Sequence, residues 1–282
     1  MLIQWFPGHM KKTKDLIVEN LKLVDIVIEI IDARLPISSK NPVIDSLTLN
    51  KPKIIMMNKI DLANESMTQK WTKYFERENV SVVYVNSITG VGMKSVIGKC
   101  KEVLKYKLEK DKVRGRINRT IRAMVVGIPN VGKSTFINKF VGKASTKTGD
   151  KPGVTRGKQW IKVGVDFELL DMPGILWPKF DDEQVGIKLA SIGSIKEEIL
   201  DSIELAINLI RILRKINITA VSERYKIIDI DKLSDTEVLS KIAENRKFCI
   251  TGGELDLRRA SKTLLDEFQG GKLGRITLDI CK

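Results

Sequence analysis

Gly127-Ile128-Pro129-Asn130-Val131-Gly132-Lys133-Ser134 sets two glycines, a lysine and a hydroxyl at the spacing of a phosphate-binding loop. Such a loop needs glycine because backbone N–H groups must reach phosphate oxygens with no Cβ in the way. Lys133 can extend to the β- and γ-phosphates, the Ser134 hydroxyl can ligate Mg²⁺, and Val131, Gly132 and Thr135 supply further contacts. Asn58-Lys59-Ile60-Asp61 has the residue types of a guanine reader. A carboxylate at Asp61 can accept from guanine N1–H and N2–H₂, a donor pair that adenine lacks, and so would select GTP over ATP. Asn86-Ser87-Ile88-Thr89-Gly90 could support the base, with Ser87 as its contact. Asp171-Met172-Pro173-Gly174 fits a D-x-x-G motif: Asp171 would hold Mg²⁺ through water and the Gly174 N–H would meet the γ-phosphate. Thr155 is the first candidate for a switch threonine that closes on Mg²⁺, with Thr146 and Thr148 as alternatives.

These motifs require strands to end just before them. Val24 to Ile31, Lys53 to Met57, Val80 to Val85, Ile121 to Val126 and Phe167 to Leu170 are short apolar runs, and Ile161 to Val165 reads as an edge strand. Strands alternating with helical stretches indicate a mainly parallel sheet with helices on both faces. Ligands of such sheets bind beyond the carboxyl ends of the strands, where every motif above falls. Lys101 to Arg122 carries nine basic and three acidic residues and is expected to continue a helix and then link into the P-loop strand. After Trp177-Pro178 the periodicity turns helical: Leu189, Ile192, Ile199, Ile203, Ile207, Ile210 and Leu213 recur at spacings of three, four and seven. Leu233 to Ala243 and Leu255 to Phe268 predict two more amphipathic helices. The expected division is a GTPase domain over 1–178 and a smaller all-helical, RNA- or ribosome-binding domain over 179–282.

The chain of 282 residues carries a net charge of +14, which favours polyanionic partners, nucleic acid first and anionic membrane second. No apolar run of 18 residues occurs, and no signal peptide is expected, so no stable membrane insertion and a cytoplasmic location are anticipated. Three unpaired cysteines, Cys100, Cys249 and Cys281, read as reduced thiols.

In common GTPases the P-loop precedes the guanine motif; here the order is reversed. The sequence guanine motif, base-support loop, P-loop, switch threonine, D-x-x-G resembles the YlqF/YawG-type circularly permuted GTPases. Trp5-Phe6-Pro7-Gly8-His9-Met10, Asp32-Ala33-Arg34, the extension of D-x-x-G through Ile175-Leu176-Trp177-Pro178, and Gly270-Gly271-Lys272-Leu273-Gly274-Arg275 look like that family's ribosome-biogenesis members. The resemblance spans essentially the whole chain. It implies a bacterial factor that joins a late precursor of the large ribosomal subunit and leaves after GTP hydrolysis.

Many GTPases place a water-orienting glutamine directly after D-x-x-G; this chain has Ile175, which cannot do that work. Rejoining the permuted order puts the residues before the first strand, Pro7 to Lys22, in the place of the switch II helix. His9, the single histidine, stands at its start and could approach the γ-phosphate. The family resemblance points to the same histidine as catalytic; the alternative is a surface histidine near a terminus. Asn130 resembles the P-loop asparagine of GTPases that use K⁺ beside the phosphates, the alternative being a local bond to backbone. Arg258, Arg259, Lys262, Lys272 and Arg275 are candidate rRNA phosphate contacts. Two further classes compete with a ribosome-assembly GTPase: an RNA-binding regulator that uses GTP as a ligand with negligible turnover, and a membrane-associated GTPase. The sequence leaves oligomeric state open.

Overall fold

The computed structural model describes residues 8–116, 119–141, 159–177, 180, 182–195 and 201–281. The chain runs α1 (Gly8–Leu21), β1 (Ile26–Asp32), α2 (Pro42–Thr48), β2 (Lys53–Asn58), α3 (Glu65–Arg77), β3 (Ser81–Val85), α4 (Met93–Val103), α5 (Lys105–Val113), β4 (Ile121–Val126), α6 (Lys133–Val141), β5 (Gln159–Val163) and β6 (Phe167–Asp171). Helices follow: α7 (Glu183–Ser191), α8 (Ser202–Ile216), α9 (Thr219–Tyr225), α10 (Asp235–Asn245) and α11 (Leu257–Gln269).

The six strands form one sheet in the order β3-β2-β1-β4-β6-β5. The first five are parallel, and β5 pairs antiparallel with β6 at the edge. All seven residues of β1 are buried, which is why this strand reads as a continuous apolar run. Strand β2 alternates between faces: Ile54 and Met56 join the main core with Val96 and Cys100 of α4, while Ile55 and Met57 meet Trp71 and Phe75 of α3. The edge strand begins earlier than its apolar run predicts. Gly164, at φ 65°, starts the turn into β6, so Val165 lies outside the strand and is 98% exposed.

Among the described residues the helical periodicity after residue 182 falls on α7 and α8, with Ile192 capping α7; Ile199 lies outside the described residues. Helix α7 ends at Ser191, where Gly193 takes φ 73°, and α8 starts from an Asp201 cap that accepts from Ile203 and Glu204 N–H. Helix α9 has no counterpart in the sequence expectations. Helices α8, α10 and α11 pack on one another, and their apolar faces continue the core under the sheet. The last residues return to the strand ends. Ile276 N–H donates to Leu62 O at 3.0 Å, Leu278 N–H to Arg34 O at 2.9 Å, and Trp71 Nε1–H to Asp279 O at 3.0 Å.

Candidate nucleotide site

The motifs converge at the carboxyl ends of β2, β3, β4 and β6. Asn58, the last residue of β2, is nearly fully buried and joins two loops. Its Nδ2 donates to Val131 O at 2.8 Å, while its Oδ1 accepts from Ser87 N–H and Oγ–H at 3.1 and 2.8 Å. Lys59 follows at φ 59° and donates to Asn130 O at 2.7 Å. The loops carrying Asn58–Lys59, Ser87 and Asn130–Val131 are therefore one hydrogen-bonded unit. Gly132, at φ 93°, lies so close that a Cβ would collide with Asn58 Nδ2. Asp61 is exposed; desolvation holds the half-buried Lys59 ammonium below its ordinary value, against the pull of Asp32 and, more weakly, of Asp61.

Lys133 opens α6, with Ser134 and Thr135 in the same turn, so all three sit where a helix N-terminus favours anions. Lys133 Nζ donates to Ile128 O at 2.8 Å, closing the loop on itself. Burial lowers its pKa to about 8, opposed by Asp171. Asp171, at the end of β6, is 1% exposed; burial pushes its pKa up to about 6, against the pull of Lys133 and the Met172 N–H. Its Oδ1 is buried and has no hydrogen-bond partner among the described residues. An orphaned carboxylate oxygen on a group that interacts with the P-loop lysine fits Mg²⁺, which takes one or two carboxylates, waters and phosphate oxygens rather than an all-protein cage. Gly174 brings D-x-x-G against the P-loop: a Cβ there would stand 3.0 Å from both Lys133 Nζ and Pro129 N. Ile175 is 1% exposed, and its carbonyl accepts from Asn41 Nδ2 at 2.7 Å, so the usual glutamine position points no reactive group at the site.

The helical segment holds the P-loop from the side. Asn130, at φ 60°, donates through Nδ2 to Ile192 O at 3.1 Å and Gly193 O at 3.4 Å. Ser194 Oγ–H donates to Pro129 O at 2.9 Å. The asparagine amide thus bonds to carbonyls more than sixty residues away rather than to its own loop. A second tie runs through Arg34, whose guanidinium clasps Asp32 and reaches the last carbonyls of α11. None of Asn41, Arg34, Ser194 or the Ile192–Gly193 carbonyls carries a local sequence signal for these contacts. Arg275, an expected rRNA contact, is exposed and donates to Ala63 O at 2.8 Å and Ile60 O at 3.1 Å beside the guanine motif. Arg258, Lys262 and Lys272 are exposed, and Arg259 lies over the Phe248 ring. His9 falls in the first turn of α1, directly ahead of β1 as the permuted order requires. Its side chain, and Thr155, Thr146 and Thr148, lie outside the described residues.

Comparison with known proteins agrees with this arrangement. The family described as "50S ribosome-binding GTPase" matches residues 122–246. Ribosome biogenesis GTPase A of Bacillus cereus is 46% identical over 279 residues, covering 99% of this chain and 94% of that protein. The Thermotoga maritima protein of the same name is 32% identical, covering 98% and 94%. The crystal structure of GNP-bound YlqF from T. maritima superposes with a TM-score of 0.69 at 28% identity, over 95% of this chain and 97% of that one. No helix among the described residues is long and apolar enough to cross a membrane. With its permuted motif order assembled into one site and these identities over nearly its full length, the chain belongs to the ribosome biogenesis GTPase A family of circularly permuted, GTP-hydrolysing enzymes.

Proposed function

We propose that this protein is an assembly factor for the large ribosomal subunit, which binds a late 50S precursor in the GTP state and leaves after hydrolysis. The observation that carries the reading is the single unit formed by Asn58, Lys59, Ser87 and the P-loop, within a family named for ribosome biogenesis. In this reading Asp61 takes the guanine edge, Lys133 leaves Ile128 O for the phosphates, and the Gly174 N–H meets the γ-phosphate. Ser134, Asp171 and Thr155 would hold Mg²⁺, which would supply positive charge against the phosphates. Asn130 keeps its amide oxygen for K⁺, since two carbonyl acceptors require its NH₂ on the helical side. His9, on α1, orients the attacking water when the ribosomal particle is bound. The division is a GTPase domain over 1–178 and a helical RNA-binding domain over 179–282. Exposed Arg258, Lys262 and Lys272, together with the charge of +14, support rRNA as the partner and the cytoplasm as the place.

Single-turnover GTP hydrolysis with and without purified large subunits tests this. The expected result is slow basal turnover, strong stimulation by the particle, and faster rates in K⁺ than in Na⁺ at equal ionic strength. His9→Ala should keep GTP affinity within a few-fold and lose roughly 10²–10⁴ of the stimulated rate, the span of a water-orienting or acid–base group. Stimulation unchanged in His9→Ala would remove the histidine from the mechanism, and no stimulation at all would favour a GTP-liganded regulator.

A further inference from the structure

Arg34 is the largest fully buried side chain among the described residues, and it carries a charge. Its Nε and Nη2 form a two-pronged pair with Asp32 Oδ1 and Oδ2 at 2.9 and 2.8 Å. Its Nη1 donates to Gln269 O at 3.1 Å and Phe268 O at 3.4 Å, the last carbonyls of α11, and the guanidinium lies 5.6 Å from the Phe268 ring centroid. A cation at a helix C-terminus is favoured there by the helix dipole. Asp32 is shared: its Oδ2 also lies 3.2 Å from Lys59 Nζ. Lys59 in turn holds Asn130 O of the P-loop. An unbroken path of charge-assisted contacts, fully buried at Arg34 and Asp32 and half-buried at Lys59, therefore runs from the end of α11 to the guanine motif and the P-loop.

The path has a definite logic. Asp32 is fully buried; burial alone would favour its neutral form, and Arg34 and Lys59 keep it ionised. If α11 lifts away, Arg34 loses its carbonyl acceptors and gains water, and the balance of Asp32 between its two cations changes. Lys59 is then drawn from Asn130 O, and the loop that should receive phosphate loosens. Lysine could not replace Arg34, because only a planar fork serves a carboxylate and two carbonyls at once.

We propose that Arg34 is a positioning residue through which the seating of α11 and the C-terminal tail sets the affinity of the nucleotide site, and through which bound nucleotide seats them in return. The proposal rests on the reading of Asn58–Asp61 and the P-loop as that site. Linkage makes the effect reciprocal: whatever factor seating adds to nucleotide affinity, nucleotide adds to seating.

Hydrogen–deuterium exchange of the full chain with and without Mg·GDP, alongside GDP binding by titration, tests it. In the wild type, GDP should slow exchange both at 127–136 and at 257–278, the latter about tenfold, within the roughly 5–150-fold range of allosteric couplings. In Arg34→Met, saturating GDP should still protect 127–136 but no longer change 257–278, and the Kd for GDP should rise about tenfold. A purely structural role would speed exchange at 257–278 equally in both states and leave its dependence on GDP intact, and that result overturns the proposal. So does wild-type protection confined to 127–136. Arg34→Lys, which keeps the charge and the fold of the strand end, carries the test if the methionine variant does not melt cooperatively; it should show the same loss of GDP dependence. If GDP neither binds nor protects 127–136 in the wild type, the nucleotide-site assignment itself falls.

Discussion

Asp171 is a carboxylate held where its charged form is disfavoured, with one oxygen unpartnered, and that has a measurable signature. Its folded pKa, near 6, lies above the unfolded 3.8. Between these values the folded chain keeps a proton that the unfolded chain has lost. The group's contribution to stability therefore falls as pH rises from about 4 to 6, by at most about 3 kcal/mol. Asp171→Asn lacks this term. The nucleotide-free wild type should lose stability relative to Asp171→Asn across that window in denaturant titrations, while Mg·GDP affinity should rise with pH through about 6 in the wild type only. Asp61 acts by a different principle, since its exposed carboxylate is free to meet a base edge. Asp61→Asn should weaken GTP and shift preference toward xanthosine nucleotides, because the new amide offers a donor to the 2-oxo group. Competition binding with the two triphosphates reads this directly, and unchanged GTP affinity would remove Asp61 from the guanine contact.

At the scale of elements, what could be read from sequence follows the reach of the signal. Strands β1, β2, β3, β4 and β6 and the motifs at their ends were legible, because an apolar run and the loop after it lie within about ten residues of each other. Helices α10 and α11 were legible from their periodicity, shifted by up to two residues where caps at Ser234 and Asp256 set the start. The break between α7 and α8 was not, since apolar spacing continues across Gly193. The contacts that bind loops together were invisible: Asn58 meets Val131 at a separation of 73, Asn41 meets Ile175 at 134, and Arg34 meets Gln269 at 235. No local pattern encodes such a partner. The loop packing yields its own prediction. Gly132→Ala adds a methyl that must displace Asn58 in a left-handed backbone conformation. It should release Ser87 as well as the P-loop, and so weaken GDP and GTP alike by tenfold or more in equilibrium binding, with helical content by circular dichroism unchanged.

For the whole molecule, the tail around Asp279 decides whether sheet and helices act together. Asp279 is 1% exposed and accepts from Ile37 N–H, Ser38 N–H, Ser38 Oγ–H and Lys188 Nζ at 3.0, 2.7, 2.7 and 2.8 Å. Removing one partner of a buried charged network leaves the others unsatisfied. Asp279→Ala should therefore cost about 3–5 kcal/mol of unfolding free energy, measured by urea denaturation. A loss below 1 kcal/mol would show that the tail rests on the protein without holding it.

That same tail has a consequence in time. Ser38 and Asp279 are separated by 241 residues, and chains lengthen at about 5–20 residues per second, so the first strand waits roughly 12–50 s for the residue that locks it. The N-terminal strands β1, β2 and β3 can pair while the P-loop is still untranslated, and the ties from α7, α11 and the tail come later still. A nascent or truncated chain would thus present a half-built sheet with loops unable to grip a nucleotide. The contacts that join Ser38 to Asp279 can therefore close only after the residues around Asp279 have been made, well after the first strands have paired.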